Sequence, residues 1–338
     1  MTLLRREFFG VVGAAALSAG FLSGGKMFAD EVDAAPNYAT KIFKSRITAN
    51  PSKKYCESLK AAGFEGIEIS RWNVSPAEAL EIRREVESFG LRIHSVMRAW
   101  TNVNIENQYA KDIETVKKAL RSASTYGADT VLWVTCEAKN VKNLPMPKPW
   151  DFDVDFDPAT LRVKTVAEGD NTPYEKYIAD QNYATESSIR AIEELIPVAA
   201  KEGVRIGLEN VWNNFWCTPK FFAAFCKYFN STWVGGYLDL GNHTKYSRCE
   251  EWIKELGHNI LKLHIKGYKI KNVSGKLGGG DGQWCAIDEA TIDWKSVRKA
   301  LDDVKYNGWV SVEENNHSDE RYSKILDNFI AGKKIDEK

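Results

Sequence analysis

From about residue 37 onward, the chain alternates short runs of period-two hydrophobicity with longer amphipathic segments. In residues 260–268, "ILKLHIKGY", apolar residues alternate with Lys262, His264 and Lys266, which is the pattern of a half-buried strand. Seven similar runs accompany it: TKIFKS, EGIEIS, LRIHSVM, DTVLWV, RIGLE, VGGYLD and WVSVE. Eight strands that alternate with helices predict a single-domain α/β fold, the (β/α)8 or TIM barrel.

The helical segments have recognisable starts and ends. An early helix begins behind Ser75 as N-cap with Pro76 in its first turn. Longer patterns predict helices over about 174–203, 218–229, 249–256 and 293–304. Two insertions, 135–173 and 268–290, interrupt the rhythm after strands at the C-terminal face of the predicted barrel. Since loops at this face carry function, we interpret both insertions as lids over a site.

The first 35 residues have a different character. Arg5 and Arg6 are followed by Phe8 and Phe9, and then by an apolar run over 11–22 that is rich in Gly and Ala. This arrangement resembles a twin-arginine export signal, and the run is short for a membrane span. We therefore expect a cleaved signal peptide and a short linker over 1–35, a barrel over 36–338, and an exported, periplasmic protein with no stable membrane span. A retained membrane anchor is the alternative.

Charge and cysteine usage narrow the choice of partner. The chain has 46 basic and 46 acidic residues, and this balance gives no electrostatic footprint for nucleic acid. The six cysteines show no CxxC pair or metal-type spacing, which disfavours a redox or zinc-finger role, and we interpret them as buried free thiols. A small, neutral or weakly charged partner is the expectation.

Side-chain parity in the last four strands brings polar residues together. If His264 points into the barrel, the same register turns Glu209, Asp239 and Glu313 inward at the ends of their strands. The outward residues around the histidine would be Leu261, Leu263 and Ile265, and the small inward residues of the neighbouring strands would be Gly207, Gly235 and Ser311. Three carboxylates and one imidazole are therefore expected to converge on one patch of the C-terminal face.

Such a patch predicts a divalent cation. Three adjacent carboxylates without a cation would repel one another and raise their pKa values, so a bound cation is the simplest way to keep them ionised. The oxygen-rich donor set favours one Mn²⁺, Mg²⁺ or Co²⁺ ion, with Zn²⁺ possible. Four unrelated polar strand ends remain the alternative interpretation.

At these residues the chain resembles the xylose isomerase-like sugar isomerases and epimerases. The motifs are "IGLENVWNNF", "GGYLDLGN", "WIKELGHNILKLHIKGY", "IDWKSV" and "YNGWVSVEEN". The resemblance is nearest to the branch of L-ribulose-5-phosphate 3-epimerases and hexulose-phosphate isomerases, and it is close only from about residue 173 onward. It implies that Glu209, Asp239, His264 and Glu313 are metal ligands, and that Glu209 and Glu313 also transfer protons.

The resemblance implies a metal-dependent sugar isomerase or epimerase that removes a proton next to a metal-bound carbonyl, through an enediolate. Because of the expected export, we expect a non-phosphorylated sugar or keto-sugar. A 3-keto-glycoside lyase or hydratase with the same metal and carboxylates, and a non-catalytic exported sugar-binding protein, stay open. Neutral charge and few histidines disfavour an apurinic-site endonuclease. Gly267 stands where the family commonly has Asp, so support for His264 must come from elsewhere.

Other side chains are candidate sugar contacts. The polar ones are Asn210, Asn213, Asn242, His243, Lys266 and His94. Helix capping or loop hydrogen bonding would explain the asparagines equally well. Trp100, Trp133 and Trp284 are candidate stacking platforms, with packing as the favoured role for each.

Overall fold

The computed structural model describes Pro36, residues 38–136 and residues 144–335 of the chain. The expected export signal over 1–35 lies outside the described residues and stays a prediction. Within the described part, no helix is both long enough and apolar enough to cross a membrane.

Eight parallel strands close into a barrel, which confirms the predicted fold. The barrel strands are β1 (Ile42–Thr48), β2 (Gly66–Ile69), β3 (Arg92–Trp100), β4 (Thr130–Val134), β7 (Arg205–Leu208), β8 (Val234–Asp239), β9 (Ile260–Ile265) and β12 (Gly308–Val312). Their order around the barrel is β1-β12-β9-β8-β7-β4-β3-β2. Neighbouring strands follow one another in sequence because the connecting segments fold into helices that return the chain to the same end.

Six of the nine helices in the described residues begin behind a side chain that caps them. They are α1 (Lys53–Ala61), α2 (Pro76–Ser88), α3 (Glu106–Tyr126), α4 (Glu175–Glu202), α5 (Pro219–Lys227), α6 (Leu240–Thr244), α7 (Cys249–Leu256), α8 (Trp294–Asp303) and α9 (Asp319–Ile330). The Ser75 side chain accepts a hydrogen bond from the Glu78 N–H at the start of α2, as its sequence predicts. Gly203 ends α4 in the left-handed conformation. The four longer predicted helices correspond to α4, α5, α7 and α8 within two residues at each end.

The apolar strand residues face outward to the helices, as parity predicts. Leu263 and Ile265 on β9 are completely buried in the layer between barrel and helices. Leu261 is an exception, because the pairing of β8 with β9 shifts register between Gly236 and Tyr237, and Leu261 lies opposite this irregularity. Leu261 is only partly buried, and its side chain lies in the space that a Cβ added to Gly235 would occupy.

Each insertion carries a short antiparallel hairpin rather than an irregular loop. The first contains β5 (Asp155–Phe156) and β6 (Val163–Thr165), and the second contains β10 (Gly267–Val273) and β11 (Gly280–Cys285). The two insertions contact each other where Gly275 lies against the Trp150 backbone. A Cβ at Gly275 would lie 2.6 Å from the Trp150 carbonyl oxygen, so a larger residue there would push the insertions apart.

All six cysteines are free thiols, as expected from their spacing. Five are buried, and Cys285 in the second insertion is partly exposed. Burial raises the pKa of the Cys136 and Cys217 thiols to about 12, so both stay protonated and unreactive.

Trp133 is a core residue, which confirms the packing role favoured for it over a stacking platform. It pairs in register with Leu208, faces the helices, and is completely buried, with its indole N–H donating to the Thr101 hydroxyl at 2.9 Å. The even-numbered neighbours Leu132 and Val134 fill the barrel interior instead. Residue parity, applied to β4, could have excluded Trp133 from the site.

We expect Trp133→Ala to lower the free energy of unfolding by about 3–5 kcal/mol, because it leaves a large cavity between barrel and helices. Urea denaturation followed by circular dichroism measures this change. Trp100→Ala is the matched control, since Trp100 is 39% exposed, and its effect should stay within about 0.5 kcal/mol. Equal effects of the two substitutions would contradict the assignment of Trp133 to the core.

Candidate metal and carboxylate site

The structure brings the four predicted ligands together at the C-terminal mouth of the barrel. One ligand atom from each of Glu209, Asp239, His264 and Glu313 lies within 4.8 Å of the others. Asp239 and His264 are completely buried, and Glu209 is nearly so. The Glu313 side chain is 33% exposed, which leaves the cluster open to solvent on its side.

Two side-chain interactions fix Asp239 and Glu209 relative to each other. Asp239 caps α6, and its Oδ1 accepts backbone N–H groups from Gly241 and Asn242, both at 2.8 Å. Its Oδ2 is left to face the cluster. The Asn242 amide donates to this oxygen at 3.0 Å and to Glu209 Oε1 at 3.1 Å. Asn242 therefore belongs to the site as a bridge between two carboxylates.

Lys266 contributes a positive charge to the cluster. Its Nζ lies 2.7 Å from Glu313 Oε2 and 2.9 Å from Asp239 Oδ2. It follows His264 by two residues, so it faces the same interior. Burial alone would lower the pKa of Lys266, but the surrounding carboxylates raise it above its ordinary value.

The support for His264 comes from Glu68, which the sequence analysis did not identify. Glu68 lies on β2 and is completely buried. Its Oε2 is 2.8 Å from His264 Nε2 and accepts the Tyr237 hydroxyl at 2.6 Å. Ile67 and Ile69 flank Glu68 and face outward, so the parity argument used for the last four strands could have found it.

His264 presents its other nitrogen to the carboxylates. Nδ1 makes no hydrogen bond within the described residues, although Glu313 Oε2 lies 3.3 Å away. Burial opposes the charged imidazole, but Glu68 and Glu313 outweigh it and raise the pKa of His264 well above its ordinary value.

The same surroundings shift the pKa values of the three carboxylates in opposite directions. Burial, together with repulsion by Glu313 and Asp239, raises the pKa of Glu209 well above its ordinary value. Burial also raises the pKa of Asp239, although Lys266 opposes it. Burial would raise the pKa of Glu313 as well, but His264 and Lys266 outweigh this and lower it. A cation among the three would favour the ionised form of each.

The donor set therefore fits a divalent cation. Three carboxylates face one another, and among the described residues only the Lys266 ammonium group lies against them as a lysine or arginine charge. The unpaired, buried Nδ1 of His264 points at the same space and is a suitable nitrogen ligand. Glu68 binds Nε2 of His264, so Nδ1 is the ring nitrogen that faces the carboxylates.

Asn210 and Asn213 hold the loop after β7. The Asn210 amide donates to the carbonyl oxygens of Phe215 and Trp216, and the side chain is completely buried. This is the loop hydrogen bonding offered as its alternative role, and a sugar contact of Asn210 stays a prediction. The Asn213 amide donates to the Cys136 carbonyl at 3.2 Å. A role of Asn213 in sugar binding stays a prediction, as it does for Asn242 and Lys266.

His243 lies on the wrong side of the barrel wall for sugar contact. It packs edge-on against Trp252, with ring centroids 4.1 Å apart, and against Phe222, so it belongs to the layer between barrel and helices. Its Nδ1 lies 2.6 Å from the Asp239 carbonyl oxygen. The strand alternation does not extend to His243, because α6 begins directly after Asp239.

His94 faces the barrel interior, but its contacts differ from those expected. Its Nε2 lies 2.7 Å from the Ser45 hydroxyl and 3.3 Å from the Ser311 hydroxyl, and its ring stacks on Trp309 at 4.5 Å. It is completely buried. The structure thus corrects its predicted role from sugar contact to internal packing.

An aromatic cluster covers one side of the site. Trp284 of β11 stacks on Trp212 at 4.8 Å, Tyr268 meets both rings edge-on, and the ring of Trp284 lies 5.0 Å from Lys266 Nζ. Trp284 is 46% exposed, so it keeps a free face. The second insertion thus contributes an aromatic wall beside the site, whereas Trp100 is exposed at the end of β3.

Comparison with known proteins identifies the family. Residues 56–331 match the model of the xylose isomerase-like TIM barrel family, and the chain belongs to this family. A curated relative, the uncharacterized protein MJ1311 of Methanocaldococcus jannaschii, is 27% identical over 174 residues. The match covers 49% of this chain and 54% of the relative, so the chain spans about half the length of the curated relative it matches.

Solved structures share the fold at low identity. A D-tagatose 3-epimerase-like protein is 18% identical, with a TM-score of 0.62 over 86% of this chain and 97% of that one. D-psicose 3-epimerase, solved in the presence of D-fructose, is 16% identical, with a TM-score of 0.57 over 86% and 100%. A xylose isomerase-like protein from Mycobacterium smegmatis in complex with magnesium is 18% identical, with a TM-score of 0.55 over 87% and 98%.

We expect His94 to stay neutral in the folded protein at pH 5.5, because burial lowers its pKa well below the ordinary value of 6.5. The unfolded chain takes up a proton near pH 6.5, so the stabilisation is present above that pH and is lost as the pH falls. Well below pH 6.5, where the unfolded histidine is fully protonated, each further pH unit should cost about 1.4 kcal/mol from this residue.

The comparison of wild type with His94→Gln isolates this contribution. Denaturation at pH 6.5 and 5.5 should show wild type losing about 1 kcal/mol more than the variant, because the unfolded histidine is already half protonated at pH 6.5. The same loss in both proteins would contradict a neutral, buried His94.

Proposed function

We propose that the protein is a metal-dependent epimerase or isomerase of free ketoses. The observation that carries the proposal is the convergence of Glu209, Asp239, His264 and Glu313 within 4.8 Å at the mouth of the barrel. Membership in the xylose isomerase-like family supports a sugar isomerase or epimerase.

The four cluster residues would hold one divalent cation, with Mn²⁺, Mg²⁺ or Co²⁺ favoured by three oxygen ligands and one nitrogen ligand. When bound, such a cation polarises a sugar carbonyl and its neighbouring hydroxyl, and so acidifies the adjacent C–H. The magnesium complex of the similar Mycobacterium smegmatis protein supports this choice of ion class.

Glu209 and Glu313 are the proposed proton carriers. Either carboxylate could accept the proton from the carbon next to the carbonyl and the other could return one, which inverts that carbon if they act on opposite faces. Asn242 holds Glu209 Oε1 and Lys266 holds Glu313 Oε2, so both carboxylates are oriented by donors. Proton return to the neighbouring carbon would give aldose–ketose isomerisation instead.

The expected substrate is not phosphorylated. The structures similar to this chain include a D-tagatose 3-epimerase-like protein and a D-psicose 3-epimerase solved with D-fructose, whose names refer to free ketoses. The export signal expected over 1–35 supports the same choice, because phosphorylated sugars are cytoplasmic metabolites. The similar structures named above offer no support for a lyase.

Incubation of the Mn²⁺-loaded protein with D-fructose, D-tagatose or D-psicose in D₂O tests the reaction class. We expect deuterium on the carbon next to the carbonyl, detected by NMR, and conversion to the C3 epimer. Glu209→Gln and Glu313→Gln should each slow the exchange about 10²–10⁴-fold, because each removes a proton carrier.

The matched control is His258→Gln. His258 is exposed and precedes β9, so it lies at the opposite end of the barrel, and its variant should exchange at the wild-type rate. Metal-loaded wild type that binds these ketoses but exchanges no proton would contradict the proposal and favour the sugar-binding protein.

Glu68 provides a test of the metal site that does not depend on turnover. Glu68→Ala should weaken Mn²⁺ binding about 10–100-fold, because His264 loses the partner that orients its ring. Glu68→Gln keeps an oxygen acceptor for His264 Nε2 and should weaken binding less. Competitive titration against a chelating dye measures the dissociation constant, and circular dichroism checks folding.

Glu57→Ala, an exposed glutamate on α1, is the control and should leave the dissociation constant unchanged. Wild-type affinity in a folded Glu68→Ala protein would show that His264 is oriented by other groups.

A further inference from the structure

A cavity lies between the two insertions, apart from the metal and carboxylate site. Its volume is 550 Å³, and none of the four cluster residues lines it. Small-molecule pockets typically have about 300–1,000 Å³, so this space could hold one or two sugar units. The first insertion, the second insertion and the residues that follow α6 each contribute to its walls.

The walls combine aromatic rings with charged groups. Trp150 and Phe152 from the first insertion are partly buried and line the cavity. Lys276 from the second insertion forms ion pairs with Glu168 and, at 3.6 Å, with Asp153. These pairs and the close contact of Gly275 with the Trp150 carbonyl hold the two insertions together around the space.

Tyr246 supplies a buried donor on the inner wall. It is only 4% exposed, and its hydroxyl has no hydrogen-bond partner among the described residues. An enclosed hydroxyl without a partner costs free energy that a ligand hydroxyl could recover. The neighbouring wall residue Cys217 offers only a thiol, which is a weak hydrogen-bonding group.

We propose that this cavity binds a neutral carbohydrate, independently of the metal and carboxylate site. Aromatic rings pack against the apolar faces of a sugar, while the carboxylates accept and the Tyr246 hydroxyl donates hydrogen bonds to its hydroxyls. An anionic ligand would meet the carboxylates of Asp151, Asp153 and Glu168. A purely apolar ligand would leave Tyr246 unpaired.

Binding of methyl β-D-glucopyranoside, measured by saturation-transfer NMR and calorimetry, tests the proposal. This probe has no carbonyl and is not a substrate of the proposed reaction, so failure here and failure of the proposed function can be told apart. Trp150→Ala should weaken binding at least about tenfold, and Tyr246→Phe about three- to tenfold, because they remove a ring and a donor.

Trp100→Ala is the control for loss of a partly exposed tryptophan elsewhere and should bind like wild type. Tyr246→Phe keeps the ring, so it tests the site even if Trp150→Ala fails to fold. Ketose proton exchange at the metal site should persist in Tyr246→Phe. The proposal is overturned if wild type does not bind the probe, if Tyr246→Phe binds it equally well, or if D-glucose 6-phosphate binds more tightly than the neutral glycoside.

Discussion

The hydrogen bond between Glu68 and His264 across the barrel interior is the interaction on which the site depends. β2 and β9 are not neighbours in the sheet, since β1 and β12 separate them. Only closure of the barrel turns both residues into the same interior, where Tyr237 completes their hydrogen bonding. A buried carboxylate is costly without partners, so these three polar groups stabilise one another and fix the ring of His264.

The fold and the four cluster residues could be predicted from sequence because both follow from strand periodicity. Eight alternating runs determine the barrel, and one register assigns Glu209, Asp239, His264 and Glu313 to the same face. These four positions are predictable because an apolar residue that must face the helices directly precedes each of them.

Strand periodicity does not predict side-chain positions where the backbone leaves the strand. His243 follows Asp239 by four residues, but α6 turns it outward against Trp252. Asn210 lies in a loop whose carbonyl groups need donors, and it satisfies two of them. The hairpins of the two insertions have few apolar residues in period two, so their pairing depends on contacts between segments that sequence does not reveal.

The capping role of Asp239 has a consequence for metal exchange. Backbone N–H groups hold Asp239 Oδ1, Asn242 bridges Asp239 and Glu209, and Lys266 holds Glu313, all through protein groups alone. The donors are thus arranged by the barrel rather than by the ion, in contrast to small domains that fold only around zinc. If the site holds a divalent ion as proposed, its loss should leave the chain folded, and different divalent ions could replace one another at equilibrium. The ion that occupies such a site then follows its availability in the compartment as much as its intrinsic affinity.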